Sequence, residues 1–310
     1  MKKFAVVFPG QGSQAVGMMA PYGDLAVVRE TFAEASEALG QDLWQMVAEG
    51  PAELIAQTVN TQPIMLTAGI AVWRAWQQQG GAAPAMLAGH SLGEYSALVA
   101  AGVIEFADAV KLVRFRAQAM QEAVPAGVGA MAAILGLEPA DIEKVCAESA
   151  QGEIVSAANL NSSGQIVIAG HIGAVERAMA AAKAAGAKRA VQLPVSAPFH
   201  CALMKPAAEK LAARLAEVEF AAPSIPVLNN VDVALPTDPA AIRDALVRQA
   251  YSPVRWIETV RAMRAAGVEA VYEFGPGKVL AGLVKRIEGD LEIDAVVDAD
   301  SFKRVLEAAQ

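Results

Sequence analysis

Ser91 stands in the sequence Gly89-His90-Ser91-Leu92-Gly93, which follows the short apolar run 86–89 and precedes an apolar helical segment. Between a strand and a helix, this G-x-S-x-G pattern places the serine oxygen on a sharp, exposed turn. The amide of Leu92 then points at the same spot from the helix N-terminus. Ser91 is therefore a candidate nucleophile, and the alternative is a tight turn with a serine that caps the helix.

A serine at its ordinary pKa needs a base, and the chain contains three histidines. His90 lies inside the turn, where it is expected to pack with its side chain pointing away from Ser91. His171 opens a predicted helix, which is typical of a capping or exposed residue. His200 lies where the chain passes between two predicted lobes, the usual position of a cleft, and it is the best candidate base. Cys201 follows His200 directly, and adjacent residues of an extended segment point opposite ways, so a Cys–His pair is not expected.

The carboxylate of a serine hydrolase triad is not evident. In hydrolases of this topology an acid lies between the serine and the histidine in chain order. Between Ser91 and His200, no Asp or Glu ends a predicted strand of the main domain. Either a neutral acceptor orients the imidazole or the topology differs. A neutral acceptor still permits base catalysis, although it stabilises the imidazolium less.

Two further positions complete a candidate site. An oxyanion hole needs two donors; Leu92 supplies one amide, and the glycine-rich turn 10–13 after the first strand supplies another, that of Gln11. In the predicted helix 106–124, Arg116 lies about 60–70° from the centre of the apolar face at 100° per residue. An arginine on this border either extends along the surface to solvent or reaches into the cleft to hold a carboxylate bidentately.

The order of predicted elements indicates an α/β fold with two parts. Apolar strands at 4–8 and 86–89 alternate with helices at 25–39, 62–79 (opened near Pro63), 92–101 and 106–124, which favours a parallel sheet with helical crossovers. From 129 to 195 the order becomes β-α-β-β-α-β, the split unit of ferredoxin-like folds. We predict a ferredoxin-like inserted domain over 126–196 and a discontinuous main domain over 1–125 and 197–310. The main domain resumes with helices near 204–217 and at 239–249 and strands at 227–229 and 270–274.

Composition limits the class of protein. The chain has 310 residues, 55% of them hydrophobic, and a formal net charge of −8, which supports a large core and argues against a nucleic-acid partner that relies on backbone neutralisation. The two cysteines lack metal-ligand spacing, and no uninterrupted apolar stretch is long enough to span a membrane. We expect a cytoplasmic protein without a membrane association, and nothing in the sequence demands more than a monomer.

Motifs along the whole chain resemble those of the malonyl-CoA:acyl carrier protein transacylases of bacterial fatty acid synthesis. The matching segments are FPGQGSQ at 8–14, GHSLGEYSAL at 89–98, RFRAQAMQEAVP at 114–125, NSSGQIVIAG at 161–170, PFHCALM at 198–204 and VYEFGPGKVL at 271–280. The resemblance implies an α/β-hydrolase-like domain with a ferredoxin-like insertion. It also implies a two-step exchange in which a malonyl group passes from malonyl-CoA to the phosphopantetheine thiol of acyl carrier protein.

The same resemblance assigns roles to residues. Ser91 would carry the malonyl ester and His200 would be its base, while Arg116 would bind the free carboxylate of the malonyl group. The amides of Gln11 and Leu92 would form the oxyanion hole. The backbone carbonyl of Gln249 would accept the imidazole N–H, in place of the missing carboxylate.

The resemblance further implies partners and specificity. The partners would be malonyl-CoA, coenzyme A and an acidic acyl carrier protein, with no metal and no cofactor. Phe199, before the histidine, resembles the malonyl-selective pattern of related polyketide acyltransferases, in which a bulky ring disfavours an α-methyl group. Candidates for a basic rim that meets the carrier are Lys188, Arg189, Lys205, Lys285 and Arg286.

Two other functions would use parts of the same sequence. A serine esterase or thioesterase could use the same nucleophile, although a neutral orienting group and Arg116 favour transfer. A dinucleotide site at 10–15 fits G-x-G-x-x-[G/A] but lacks the second strand ending in an acid about 20 residues on. The segment 275–278 also lacks the spacing of a phosphate-binding loop.

Overall fold

The computed structural model describes residues 2–23, 25–195 and 197–310. The strands are β1 (Phe4–Phe8), β2 (Met86–Gly89), β3 (Gly129–Leu135), β4 (Val155–Ser162), β5 (Gln165–His171), β6 (Arg189–Gln192), β7 (Val227–Leu228), β8 (Ala270–Phe274) and β9 (Glu292–Val296). The helices are α1 (Ala26–Leu39), α2 (Leu43–Glu49), α3 (Ala52–Ala56), α4 (Thr58–Gln78), α5 (Gly93–Ala100), α6 (Phe106–Glu122), α7 (Pro139–Ala150), α8 (Ile172–Ala184), α9 (Lys205–Glu217), α10 (Pro239–Gln249), α11 (Trp256–Ala265), α12 (Val279–Ile287) and α13 (Ala299–Ala308).

The first sheet has the order β7-β2-β1-β8-β9, and all its strands are parallel. Every residue of the central strand β1 is buried, because helices cover both faces of the sheet. The register pairs Phe8 at the end of β1 with Gly89 at the end of β2. The turns after these two strands, which carry Gln11 and Ser91, therefore emerge at the same edge of the sheet.

The second sheet is antiparallel, with the order β4-β5-β3-β6, and α7 and α8 pack against it. The N–H of Leu160 donates to Val254 O at 2.9 Å, and the N–H of Val254 donates to Ala158 O at 2.9 Å, which joins β4 to the segment before α11. These elements occupy 129–192. The domain boundaries at 126–196 stay a prediction, and Ser196, like Met1, lies outside the described residues.

Several predicted elements have the bounds of the structure, among them β1, β2, β8 and α10. The helix predicted to open near Pro63 begins at Thr58 instead, so that prediction was wrong at its start. The backbone N–H of Thr61 donates to Gln57 O at 2.8 Å, and its hydroxyl donates to Ile55 O at 2.6 Å. These bonds hold the first turn in place although Pro63 lacks an N–H.

Helices α2, α3, α11, α12 and α13 and the strand β9 were not predicted from the sequence. No helix in the described ranges combines the length and the apolar character needed to cross a membrane.

Candidate active site

Ser91 lies at the sharp turn between β2 and α5, with a positive φ of 52°. The flanking glycines make this turn possible because the chain passes too close to itself for a side chain. A Cβ on Gly89 would lie 1.8 Å from the carbonyl carbon of Gly93, and a Cβ on Gly93 would lie 2.0 Å from the carbonyl oxygen of Phe8. The turn therefore depends on glycine at both positions, as the sequence pattern predicts.

Gly93→Ala is expected to lower the free energy of unfolding by about 1–3 kcal/mol or more, because the new methyl group must displace the backbone of β1. Urea denaturation followed by circular dichroism measures this loss. Gly282→Ala is the matched control, since a Cβ at Gly282, on α12, meets no atom within 4 Å. Equal stability of the two variants would contradict the close packing of the turn.

Ser91 and His200 form a hydrogen-bonded pair, with 2.6 Å between Ser91 Oγ and His200 Nε2. On the other side of the ring, His200 Nδ1 lies 2.9 Å from the backbone oxygen of Gln249. A carbonyl only accepts, so Nδ1 carries the proton and Nε2 is free to accept one from the serine. The ring is thus oriented by a neutral group.

The electrostatic environment keeps the imidazole neutral. Burial, followed by the positive charge of Arg116, lowers the pKa of His200 to about 3. His200 is 3% exposed and has a positive φ of 59°. The uncharged ring is the form that can take a proton from Ser91.

Arg116 is buried beside the serine rather than extended to solvent, with 2% of its surface exposed. Its Nη2 donates to Ser91 Oγ at 3.2 Å and to Gln249 Oε1 at 3.0 Å, and its Nη1 donates to Gln62 Oε1 at 2.9 Å. Its Nε has no hydrogen-bond partner in the described part of the chain. Nor does any ion pair there include Arg116. A buried guanidinium held by neutral groups, with a spare donor, suits an incoming anion.

The side chain of Gln249 is hydrogen-bonded to Arg116, to Ser91 and to Glu94. Its Nε2 donates to Ser91 O at 3.0 Å and to Glu94 Oε2 at 2.9 Å. Asn230 adds a second support, since its Oδ1 accepts from Ser91 N at 2.8 Å and its Nδ2 donates to Gly89 O at 2.7 Å. The turn that carries the serine is therefore fixed through both side chains.

The two predicted oxyanion donors follow the ends of β2 and β1, which lie at the same edge of the parallel sheet. Leu92 is the N-cap of α5, so its amide belongs to the helix end where N–H groups lack helical acceptors. Gln11 follows β1 and lines the same cleft as Ser91. The assignment of both amides to an oxyanion hole stays a prediction.

The cleft is lined by polar side chains around Ser91 and by several apolar side chains. Besides the residues already described, its lining includes Met120, Met131, Asn159, Leu193, Val195 and Phe199. Phe199 is half-buried and packs between the two parts of the structure. A small acyl chain would therefore lie between the apolar side chains and Arg116.

The remaining histidines and the neighbouring cysteine take no part in the Ser91–His200 pair. His90 Nε2 lies 2.8 Å from Asn161 Oδ1, and its ring packs on Trp256. His171 Nδ1 accepts from Ile154 N at 2.9 Å. Cys201 Sγ donates to Pro198 O at 3.1 Å. Among the described residues, no group of three or more His, Cys, Asp or Glu side chains could hold a metal ion.

Sequence reasoning missed Glu94, Gln62, Asn230 and Asn161. Glu94 had a visible signal, because it is the one charged residue in α5, whose other residues are small, apolar or aromatic and mostly buried. The other three are uncharged residues on separate elements, and their spacing carries no sign of a shared site.

Comparison with known proteins places the chain in one family over nearly all its length. The family model for "Acyl transferase domain" matches residues 5–296. A malonyl CoA-acyl carrier protein transacylase from Salmonella typhimurium is 63% identical over 307 residues, with 99% of each chain covered. A protein of the same name from Bacillus subtilis is 46% identical, with 99% of this chain and 97% of the relative covered.

Solved structures agree with the sequence comparison. An acyl carrier protein S-malonyltransferase from Vibrio cholerae has a TM-score of 0.96 and 63% identity, over 98% of this chain and 99% of that chain. A malonyl-transacylase in complex with its type II PKS acyl-carrier protein has a TM-score of 0.98 and 57% identity, over 99% of each chain.

Proposed function

The chain belongs to the malonyl CoA-acyl carrier protein transacylase family, and on that premise we propose that it transfers malonyl groups from coenzyme A to the phosphopantetheine thiol of acyl carrier protein. The observation that carries the proposal is the Ser91–His200 pair with the buried Arg116 guanidinium 3.2 Å from Ser91 Oγ. A nucleophile beside a cation without a carboxylate partner fits an acyl group that carries its own carboxylate.

The first step forms a malonyl ester. Ser91 Oγ attacks the thioester carbonyl of malonyl-CoA while His200 Nε2 takes the hydroxyl proton, and the Gln249 carbonyl holds the ring through Nδ1–H. The amides of Gln11 and Leu92 stabilise the tetrahedral oxyanion. The carbon–sulfur bond then breaks, and coenzyme A leaves as the thiol with the proton from His200.

The second step reverses the first with a different thiol. The phosphopantetheine thiol of the carrier gives its proton to His200 and attacks the malonyl ester, and Ser91 leaves with that proton. Arg116 holds the malonyl carboxylate through both steps. The proposed steps use no metal and no cofactor. That the protein needs neither stays a prediction.

Exposed basic residues support a surface that binds the acidic carrier. The basic residues predicted to meet an acidic carrier are all exposed: Lys188, Arg189, Lys205, Lys285 and Arg286.

The strand order of the second sheet supports a ferredoxin-like insertion, and the parallel sheet with its strand–serine–helix turn supports an α/β-hydrolase-like main domain. The cytoplasmic location and the monomeric state stay predictions from the sequence.

Transfer to the carrier is tested with labelled malonyl-CoA and holo acyl carrier protein, separating carrier-bound label from free malonate. The proposal expects label on the holo carrier and none on the apo carrier, which lacks the thiol. Rapid release of malonate without carrier labelling would instead support a serine thioesterase. No consumption of malonyl-CoA would overturn both.

A further inference from the structure

Glu94 is a buried carboxyl group beneath the Ser91–His200 pair, and neither of the proposed steps uses it. It is the second residue of α5 and is 2% exposed. Its Oε2 accepts hydrogen bonds from the Asn230 backbone N–H at 2.9 Å and from Gln249 Nε2 at 2.9 Å. It therefore contacts the residue whose carbonyl holds the catalytic imidazole.

The Gln249 amide lies between two groups of opposite character. On one side Glu94, when ionised, can only accept hydrogen bonds; on the other side the Arg116 guanidinium can only donate them. A single orientation satisfies both, with Nε2 toward Glu94 and Oε1 toward Arg116. The Ser91 carbonyl, which also accepts from Nε2 at 3.0 Å, requires the same orientation, and Glu94 adds a charged acceptor that strengthens it.

We propose that Glu94 is a positioning residue for transacylation: its carboxylate anchors the Gln249 side chain and the Asn230 backbone, and so keeps in place the residue that holds His200 and Arg116 and the residue that holds the Ser91 turn. The proposal rests on the proposed function. It gives the site an acid that lies between the serine and the histidine in chain order but acts through a glutamine, without contacting the imidazole.

The ionisation of Glu94 gives the proposal a pH dependence. Burial raises the pKa of Glu94 to about 7; the charge of Arg116 on α6 opposes this rise, and that of Asp232, after β7, adds to it. Tyr95, on the same helix, stays neutral because its pKa is raised to about 12. A protonated Glu94 accepts the bonds from Gln249 Nε2 and from the Asn230 N–H less strongly than a carboxylate does, so both groups are held less firmly. Activity should therefore rise as pH increases through about 7, a range in which His200 is already neutral.

The test compares single-turnover acylation by malonyl-CoA in the wild-type protein, Glu94→Gln and Glu273→Gln. Glu273 is a matched control because it is also buried, its pKa is likewise raised to about 7, and its Oε2 accepts from Ala281 N at 2.8 Å, away from the Ser91–His200 pair. Melting temperatures are recorded for all three proteins, so that loss of folding is separated from loss of rate.

We expect the wild-type rate constant to rise between about pH 6 and pH 8. In Glu94→Gln it should be flat and about tenfold lower at the upper end, the size of loss expected when a hydrogen bond to a charged group is removed. Glu273→Gln should keep the wild-type profile. A wild-type rate in Glu94→Gln, or the same loss in Glu273→Gln, would overturn the inference.

If Glu94→Gln does not fold, Glu94→Asp decides, because it keeps the carboxylate but withdraws it by one methylene from Gln249 Nε2 and Asn230 N; a wild-type rate in a folded Glu94→Asp protein would overturn the inference. Failure of the inference is distinguishable from failure of the proposed function. A wild-type protein that is acylated at a rate the Glu94 variants do not lower overturns the inference alone, whereas a protein that malonyl-CoA does not acylate overturns both.

Discussion

Replacing His200 with alanine is expected to slow the acylation of Ser91 by malonyl-CoA by about 10²- to 10⁴-fold, the usual contribution of a positioned general base. The expectation follows from the 2.6 Å contact between Ser91 Oγ and His200 Nε2, since no other side chain in the described ranges is hydrogen-bonded to accept that proton. Rapid-quench measurement of the ester at saturating malonyl-CoA gives the rate constant directly.

His171→Ala is the control for this variant, because His171 lies at the end of β5 and its Nδ1 accepts a hydrogen bond from the backbone N–H of Ile154. It should acylate at the wild-type rate. A His200→Ala protein that remains folded and keeps the wild-type rate would show that the imidazole is not the base.

Arg116→Ala is expected to lower kcat/KM for malonyl-CoA by roughly 30- to 5000-fold, which corresponds to the 2–5 kcal/mol lost when one partner of a buried, hydrogen-bonded charge pair is removed. The loss should be specific to substrates with a free carboxylate. Acetyl-CoA has no carboxylate for Arg116 to hold. Removal of the positive charge of Arg116 also lets the pKa of His200 rise. The ratio of malonyl-CoA to acetyl-CoA acylation should therefore fall sharply.

Arg114→Ala provides the matched arginine control on the same helix, since Arg114 Nη2 donates to Gln41 Oε1, away from the cleft. This variant should keep the wild-type preference for malonyl-CoA. Equal losses for malonyl-CoA and acetyl-CoA in Arg116→Ala would indicate a structural role for the arginine. An unchanged malonyl-CoA rate would remove its role in carboxylate binding.

The elements with strong local signals were predictable from the sequence. β1 and β2 are short apolar runs ended by glycine-containing turns, and α7 begins with a proline at its first position. α13 also had a signal, the N-cap Asp298 that accepts from Ser301 N. It was missed because the usual capping-box pattern has Glu or Gln at the third position.

The start of α4 could not be predicted, because its first turn is stabilised by threonine and asparagine side chains that bond back to the preceding segment. Thr61 donates to Ile55 O and Asn60 donates to Leu54 O. Sequence rules instead favour a helix that starts close to Pro63. The tertiary setting of these polar residues decided the boundary.

The site was partly predictable. Ser91 and His200 followed from a pattern and from the small number of histidines, and the structure brings them together. The spacing of Arg116 on α6 left two orientations open, and the structure shows the inward one because Gln62 and Gln249 provide acceptors. The Glu94–Gln249 contact joins two helices that are far apart in the sequence, and periodicity within one helix cannot reveal such a contact.

The central claim is tested most directly by incubating the protein with malonyl-CoA in the absence of carrier and mapping the modified peptide by mass spectrometry, with Ser91→Ala in parallel. The account predicts one malonyl group on Ser91 in the wild-type protein and none on Ser91→Ala. Modification at another residue, or equal modification of Ser91→Ala, would contradict it.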